Sequence, residues 1–211
     1  MSKVERKELR PGYTYSRLLK GGWHLSSGHN ETVQRDQAIK DMVAFVEAGI
    51  TSFDCADHYL GVEQMIGDFR RANPGLGKQV QVHTKYVPDF NALTTVKPED
   101  TEAIIDRSLK RLGGDTIDLV QFYWWDWSKG RPVDAVLTLK KLQAKGKIRY
   151  IGVTNFTTAQ IKELVDAGVP IVANQQQYSL VDNRAEQQQL KYCIDNNIHV
   201  LTYGHLLGGF M

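Results

Sequence analysis

The amino-acid sequence predicts an α/β fold built on one parallel sheet. Seven short apolar runs alternate with six longer segments of helical periodicity, at a spacing of roughly 30 residues, as βαβ units require. The apolar runs are nearly continuous, which is typical of strands buried on both faces. No linker divides the chain, so we expect residues 1–211 to form a single domain.

The predicted strands are short segments rich in Val, Ile and aromatic residues. The predicted strands are Arg17–Trp23, Thr51–Ala56, Val80–Val87, Ile117–Trp125, Ile148–Asn155, Ile171–Gln176 and Ile198–Tyr203. Between the first two, Gln37–Ala48 carries its apolar side chains mostly on one helical stripe. A later helix begins at Pro98, followed by two acids, and ends at Gly113, the expected asymmetry of helix ends.

Two further helices are predicted toward the C-terminus, one with clear caps and one without. Thr157 and Thr158 are suitable caps for a helix over Ala159–Ala167, which Gly168 ends. The last predicted helix, Ala185–Asn196, contains a run of glutamines that makes one side of it polar.

Two architectures satisfy this alternation, a doubly wound open sheet and a parallel (β/α)8 barrel of TIM type. A dinucleotide-binding open sheet should carry a glycine-rich phosphate loop after its first strand, whereas only Gly21-Gly22 stands there. The barrel is therefore predicted. Seven strands are readable before the sequence stops at Met211, so we expect a barrel that is incomplete at the C-terminus and lacks the eighth strand and helix.

Composition excludes several classes of function. A net charge of +2 gives no reason to expect nucleic acid or an anionic membrane as a partner. The two cysteines, Cys55 and Cys193, lie far apart, which gives no zinc spacing and suits a reducing compartment. The N-terminal stretch has no apolar signal core, and no run reaches the length of a membrane span. We expect a cytoplasmic protein without a metal.

Every predicted strand ends in polar or aromatic residues that a structural turn does not need. These ends are Gly22 to His24, Asp54 to Tyr59, His83 to Tyr86, Tyr123 to Asp126, Thr154 to Phe156, Asn174-Gln175 and Tyr203 to His205. In a (β/α)8 barrel the C-terminal ends of the strands meet at one face, where the active site lies. The sequence therefore predicts an active site on this face.

These motifs resemble those of the aldo-keto reductase family, from about Leu18 to the last residue. The matching positions are Asp54, Ala56, Tyr59 and Glu63 of one signature, Lys85 at the end of the third strand, "GVTNF" at 152–156 and "NQQQYS" at 174–179. The resemblance implies an oxidoreductase that uses NADPH to reduce an aldehyde or ketone to an alcohol, with a small-molecule carbonyl substrate.

The chemistry of three residues agrees with the resemblance. A carbonyl that accepts hydride becomes an alkoxide and needs a proton donor, and a tyrosine of pKa near 10 is a reluctant one. An ammonium at ~4 Å, in an effective dielectric near 20, stabilises a phenolate by about 4 kcal/mol and lowers that pKa. A carboxylate beside the lysine keeps it charged. Tyr59, Lys85 and Asp54 are predicted in these roles, although a strand-end cap is the structural alternative for Asp54 alone.

The resemblance implies further contacts with the cofactor and the substrate. Thr154, Asn155 and Gln175 would bind the nicotinamide carboxamide, and Tyr203 would stack on the nicotinamide ring. The other expected cofactor contacts are Gly22, Asp54, Gly204 and Leu206. Trp23, Trp124 and Trp125 would line an apolar substrate pocket. For Asn155 and Gln175 the alternative is a purely structural hydrogen bond, and for the tryptophans it is plain packing.

Two positions depart from the family's pattern. Tyr123 stands where the family usually has a catalytic histidine; it can donate one hydrogen bond but cannot carry a positive charge. The segment that would bind the 2′-phosphate of NADPH is absent, and Gly208-Gly209 is all that could begin a pyrophosphate loop. An oligomer or a partner covering the open barrel edge is therefore a further expectation.

Two other functions fit parts of the sequence. One is a catalytically inactive, reductase-like binding or regulatory module, as the potassium-channel β-subunits of the family are. The other is an unrelated barrel aldolase in which Lys85 forms a Schiff base, which explains the lysine but leaves the ordered Asp54 and Tyr59 unexplained.

Overall fold

The computed structural model describes residues 4–27 and 33–207. The strands are β1 (Arg6–Arg10), β2 (Tyr13–Ser16), β3 (Leu19–Gly21), β4 (Ser52–Asp54), β5 (Gln81–Tyr86), β6 (Ile117–Phe122), β7 (Ile148–Thr154), β8 (Ile171–Gln177) and β9 (His199–Tyr203). The α-helices are α1 (Arg35–Glu47), α2 (Val62–Ala72), α3 (Pro74–Gly77), α4 (Pro98–Leu112), α5 (Pro132–Ala144), α6 (Thr158–Asp166) and α7 (Gln189–Asp195).

The main sheet contains seven parallel strands in the order of the chain, from β3 to β9. Helices connect consecutive strands, so the predicted parallel βαβ architecture is confirmed. The sheet curls as in a (β/α)8 barrel but does not close, because in the described part of the chain no strand pairs with the outer edge of β3 or of β9. The barrel type and the missing final strand both agree with the sequence.

The ends of several elements explain where the predictions were right and where they were wrong. The Thr157 hydroxyl caps α6 by accepting from the Gln160 amide at 3.3 Å, and Gly113 ends α4 with a φ of 70°. The first predicted strand was too long, since Gly22 leads directly into a short 3₁₀ turn over Trp23–Leu25. The last helix covers only Gln189–Asp195, because the glutamine run before it lacks an apolar stripe.

An antiparallel hairpin, β1–β2, precedes the main sheet and was not predicted. It crosses the N-terminal ends of the strands, where the Arg6 guanidinium donates to the Thr51 hydroxyl at 2.6 Å. Its apolar side chains form a buried cluster with residues inside the curled sheet. The cluster consists of Leu9, Tyr13 and Tyr15 with Leu119, Val172, Ala173 and Leu201. The hairpin is therefore the floor of the barrel.

The larger core lies between the outer face of the sheet and the helices. Its fully buried side chains include Phe53, Phe69, Ile105, Phe122 and Leu139. Both cysteines are buried free thiols, as expected of residues in apolar surroundings. The floor and the helical layer together leave the C-terminal ends of the strands as the face that is open for a site.

Candidate active site

The centre of the site is an ion pair between two neighbouring strands. Asp54 ends β4 and Lys85 lies near the end of β5, and both side chains point into the curled sheet. The Lys85 ammonium donates to Asp54 Oδ2 at 2.7 Å and to the Cys55 carbonyl oxygen at 3.0 Å. The lysine side chain is 6% exposed and the aspartate side chain 14%, so water screens the pair weakly.

Two glutamines complete the surroundings of Asp54. The side-chain amides of Gln121 and Gln175 donate to Asp54 Oδ1 at 3.0 Å and 2.7 Å. The carboxylate is thus held from three strands besides its own: β5, β6 and β8. Gln121 was not predicted as a site residue. The signal that could have identified it is a polar residue inside the apolar run of β6, because a buried amide needs a hydrogen-bond partner.

The charge of Lys85 is maintained against its burial. Burial alone would lower the pKa of this lysine, but Asp54 and Tyr59 outweigh that effect and raise the pKa above its ordinary value. The amine is therefore an ammonium at neutral pH.

Tyr59 lies on the loop between β4 and α2, beside this ion pair. The Lys85 nitrogen is 5.1 Å from the centroid of the tyrosine ring, which also contacts the rings of Trp23 and His58 at 5.2 Å and 4.8 Å between centroids. Burial raises the pKa of Tyr59, while Lys85 lowers it by a smaller amount. The sequence predicted a lowered pKa for Tyr59. That prediction was wrong in its net sign, because the extent to which the fold buries Tyr59 cannot be read from the sequence.

The residues at the ends of β7, β8 and β9 form a second polar group. The Thr154 hydroxyl donates to Gln175 Oε1 at 3.4 Å, and the Asn155 backbone amide donates to the Gln175 carbonyl oxygen at 2.8 Å. Asn155 has a φ of 58°, and its side-chain oxygen accepts from the Tyr203 hydroxyl at 2.9 Å. Gln175 therefore joins this group to Asp54.

A cleft of about 1350 Å3 runs along the open side of the sheet, between β3 and β9. Asp54, Gln175, Tyr203 and Gly204 are among the residues that line it. Gly204 has a φ of 77°, a backbone conformation that favours glycine; a Cβ there would also lie 2.3 Å from Gln177 Oε1, the end of a flexible side chain. Leu206 lies just beyond β9 and is 61% exposed.

Gly22 follows β3, directly after Gly21, which lines the same cleft. A Cβ at this position would be 2.8 Å from Val62 Cγ1 and 2.9 Å from the Asp54 carbonyl oxygen. The glycine thus permits close packing of β3 against the end of β4, directly behind Asp54.

The aromatic residues after β6 divide into two groups. Tyr123 is half-buried, and its ring lies 5.0 Å from that of Trp125, which is exposed and donates through its indole N–H to the Pro88 carbonyl oxygen at 2.8 Å. Trp124 is buried in the helical layer against Phe122, and its indole N–H donates to the Lys129 carbonyl oxygen at 2.9 Å. The structure thus brings Tyr123 and Trp125 together and separates Trp124 from them.

Other kinds of site are not seen in the described residues. Within 4–27 and 33–207, His, Cys, Asp and Glu side chains nowhere cluster as a metal site would need. Across these same ranges, no helix combines the length and the apolar character needed to cross a bilayer. Gly208-Gly209, the expected start of a pyrophosphate loop, lies outside the described residues.

Comparison with known proteins adds family information to this geometry. The model of the aldo/keto reductase family matches residues 17–211. The aldo-keto reductase YhdN of Bacillus subtilis is 31% identical over 205 residues, which are 95% of this chain and 61% of that protein. The aldo-keto reductase yakc [NADP(+)] of Schizosaccharomyces pombe is 34% identical over 201 residues, covering 90% of this chain and 57% of the relative.

A solved structure gives the same result for the fold. The glycerol dehydrogenase of Gluconobacter oxydans superposes with a TM-score of 0.81 at 27% identity, over 94% of this chain and 62% of that one. The chain therefore spans about three fifths of the length of such relatives.

Proposed function

Because this chain belongs to the aldo/keto reductase family, we propose that it reduces the carbonyl group of a small-molecule aldehyde or ketone to an alcohol with NADPH as cofactor. Tyr59 is the proton donor, Lys85 the charge that stabilises its phenolate, and Asp54 the group that keeps Lys85 charged and oriented. The observation that carries the proposal is the Lys85 ammonium, bonded to Asp54 at 2.7 Å and 5.1 Å from the centre of the Tyr59 ring.

The protonation states support the direction of the reaction. Tyr59 is protonated at neutral pH, so a proton is present when the alkoxide forms; because burial raises its pKa and makes the phenol a weaker acid, the transfer depends on Lys85. The nearby ammonium then stabilises the phenolate that remains. The bond of Lys85 to the Cys55 carbonyl fixes the ammonium at the strand end, so no reorganisation is needed during proton transfer.

The residues around the cleft fit a nicotinamide cofactor. When bound, NADPH supplies the hydride. Thr154, Asn155 and Gln175 offer hydroxyl and amide groups to a carboxamide, and the Tyr203 ring, 40% exposed at the edge of the cleft, offers a stacking surface. Gly22, Gly204 and Leu206 are proposed to contact the rest of the cofactor. We take NADPH as the cofactor because the Schizosaccharomyces pombe relative is named for NADP(+), whereas a 29% identical relative from Escherichia coli is named NADH-specific, so binding is to be measured with both.

Aromatic residues around Tyr59 suit the apolar part of a substrate. Trp23 contacts the Tyr59 ring directly, and Tyr123 with Trp125 follows β6, two strands along the sheet from β4. The Tyr123 hydroxyl is the proposed hydrogen-bond donor to the carbonyl oxygen, in the place of a histidine. Burial, with a smaller effect of the nearby Tyr203, raises the pKa of Tyr123, so this hydroxyl is also protonated at neutral pH.

The two alternative functions differ in what they need from Lys85. A Schiff-base lysine must be a free amine, usually with a depressed pKa. Lys85 instead has a raised pKa and is bonded to Asp54 and Cys55, which favours the reductase over the aldolase. An inactive binding module would tolerate this arrangement, so activity has to be measured.

The test combines cofactor binding with turnover. Quenching of tryptophan fluorescence by NADPH measures binding, and oxidation of NADPH is then followed with a panel of aldehydes and quinones, with Tyr59→Phe as the matched control. Binding with turnover that the Tyr59→Phe variant loses is the expected result. Binding without turnover on any compound of the panel would favour the inactive module. Trapping of substrate on Lys85 by borohydride would favour the aldolase.

A further inference from the structure

The loop that carries Tyr59 has few anchors of its own. Its first half runs beside β5, where the Cys55 amide donates to the His83 carbonyl oxygen at 2.8 Å and the Asp57 amide donates to the Lys85 carbonyl oxygen at 3.1 Å. After Asp57 the chain turns away from β5, and the Tyr59 amide bonds only within the turn, to the Ala56 carbonyl oxygen at 3.1 Å. The peptide between these two regions therefore helps to set the position of the Tyr59 ring, together with the Trp23 and His58 rings and the hydrogen bond from the Ser27 amide to the Leu60 carbonyl oxygen at 3.2 Å.

One arginine from a different helix holds that peptide. Nη1 of Arg111, near the end of α4, donates to the Asp57 carbonyl oxygen at 2.9 Å and to Glu63 Oε2 at 3.2 Å. Glu63 is the second residue of α2, which follows the loop. A single guanidinium nitrogen thus joins the loop just before Tyr59 to the helix just after it.

Glu63 gives this contact its strength. The glutamate is 1% exposed, and its other oxygen accepts from the Thr84 hydroxyl at 2.7 Å. Among the ion pairs of the described residues, its only cationic partner is Arg111. A buried carboxylate without a cation is strongly unfavourable, so the arginine and the glutamate fix each other.

The position of Arg111 is itself fixed by helix packing. A Cβ on Gly67 of α2 would lie 1.9 Å from the Arg111 carbonyl oxygen, so the two helices are in backbone contact at this point. This contact fixes the Arg111 backbone relative to α2, so the guanidinium is held within reach of the loop and of Glu63.

We propose that Arg111 is a positioning residue for the reaction: it holds the Tyr59 hydroxyl at its working distance from Lys85 by bonding to the Asp57 carbonyl and to Glu63. This assignment rests on the proposed role of Tyr59. Arg107, one turn earlier on α4, is a natural control. It is 3.8 Å from Asp57 Oδ2, which is beyond hydrogen-bond distance, and its side chain is 48% exposed.

The test compares Arg111→Gln with Arg107→Gln, which removes the same charge from the same helix. In Arg111→Gln we expect kcat to fall by about 100-fold, the scale of a misplaced catalytic group, with the Kd for NADPH unchanged. Arg107→Gln should lower kcat much less than Arg111→Gln, because Arg107 makes no hydrogen bond to the loop and the buried Asp57 carboxylate keeps its bond from the Val87 amide at 3.2 Å. Equal kcat in the two variants would overturn the proposal.

A readout independent of turnover is the fluorine resonance of Tyr59 in protein labelled with 3-fluorotyrosine, assigned by its loss in Tyr59→Phe. Arg111→Gln should displace this resonance, whereas Arg107→Gln should leave it in place. If the wild-type protein turns over no carbonyl compound, the proposed function fails, and this resonance alone decides the role of Arg111. An undisturbed resonance in a folded Arg111→Gln variant would overturn the proposal.

Arg111→Lys covers the case in which the glutamine variant does not fold. The ammonium keeps the charge beside Glu63 but lacks the planar geometry of the guanidinium. We expect stability close to that of the wild type, a loss of about tenfold in kcat and a displaced Tyr59 resonance. Wild-type values of kcat and of the resonance in Arg111→Lys would refute the positioning role.

Discussion

Replacement of Lys85 by methionine tests the electrostatic centre of the site. The lysine and aspartate side chains are 6% and 14% exposed, and their charged atoms are 2.7 Å apart. At that separation the attraction is about 6 kcal/mol in an effective dielectric near 20. Part of this energy is offset by the burial of the ammonium, which the methionine no longer requires. Loss of one partner from such a pair costs about 3–5 kcal/mol, and we expect this destabilisation for Lys85→Met.

The physical reason is the charge left on Asp54. Gln121 and Gln175 still donate to Oδ1, but Oδ2 loses its ammonium. The Asp54 carboxylate is then buried without a cation, which is the source of the expected destabilisation.

The assay is urea unfolding at neutral pH, followed by circular dichroism, for the wild type, Lys85→Met and a double variant. The double variant Lys85→Met/Asp54→Asn is the control, because the asparagine oxygen still accepts from both glutamines and no buried charge remains. We expect the double variant to recover most of the lost free energy of unfolding while both variants stay inactive. If Lys85→Met unfolds within about 1 kcal/mol of the wild type, the value typical of exposed pairs, the burial argument is wrong.

Four further predictions concern other parts of the molecule. Tyr59→Phe should lower kcat by about 100-fold or more with NADPH affinity nearly kept, and near-normal turnover would exclude Tyr59 as the donor. Tyr123→Phe should impair turnover, while Tyr123→His should preserve or raise it for small aldehydes; a Phe variant that behaves like the wild type would make this residue a wall of the pocket. Gly204→Ala should cost about 1–3 kcal/mol in urea unfolding, because its φ of 77° is strained for a residue with a Cβ; no loss would contradict that geometry. Addition of an eighth strand and helix from a longer relative should cover the open edges of β3 and β9 and raise the Tm together with NADPH affinity, and an unchanged Tm would show that these edges are not weak points.

Much of the fold could be predicted because the local signals agree with one another. The strands of the parallel sheet are apolar runs, and their order follows the chain, so periodicity and length were enough. The N-terminal hairpin was missed although Pro11-Gly12 and the alternation from Tyr13 to Tyr15 are hairpin signals. Those signals lie among charged residues, and only the packing of the tyrosines under the sheet gives them a buried face.

The candidate site was predictable to the extent that it depends on strand ends. Asp54 and Lys85 lie at the ends of neighbouring strands, so parallel pairing alone brings them together. Gln121 and Arg111 could not be found in this way. Gln121 is the next-to-last residue of β6 and pairs with Lys85, but the predicted strand ran on to Trp125 and so placed Gln121 in its interior. Arg111 reaches the loop from a helix, 54 residues away from Asp57 in sequence. The net pKa shift of Tyr59 was out of reach for a similar reason, since burial is a property of the whole fold.

The floor of the barrel can be completed only late in synthesis. The hairpin is made before every strand of the main sheet, but Leu201, against which it packs, is in the last of those strands. The hydrogen bond from the Arg10 guanidinium to the Asn197 carbonyl oxygen likewise joins residues 187 positions apart. Tyr13 and Tyr15 therefore have an incomplete binding surface until β9 has been made. Contacts of such long sequence separation form slowly, and apolar side chains that wait for them are sites for chaperones or for aggregation. Deletion of the hairpin and deletion of β9 would expose the same apolar surface, from opposite ends of the chain.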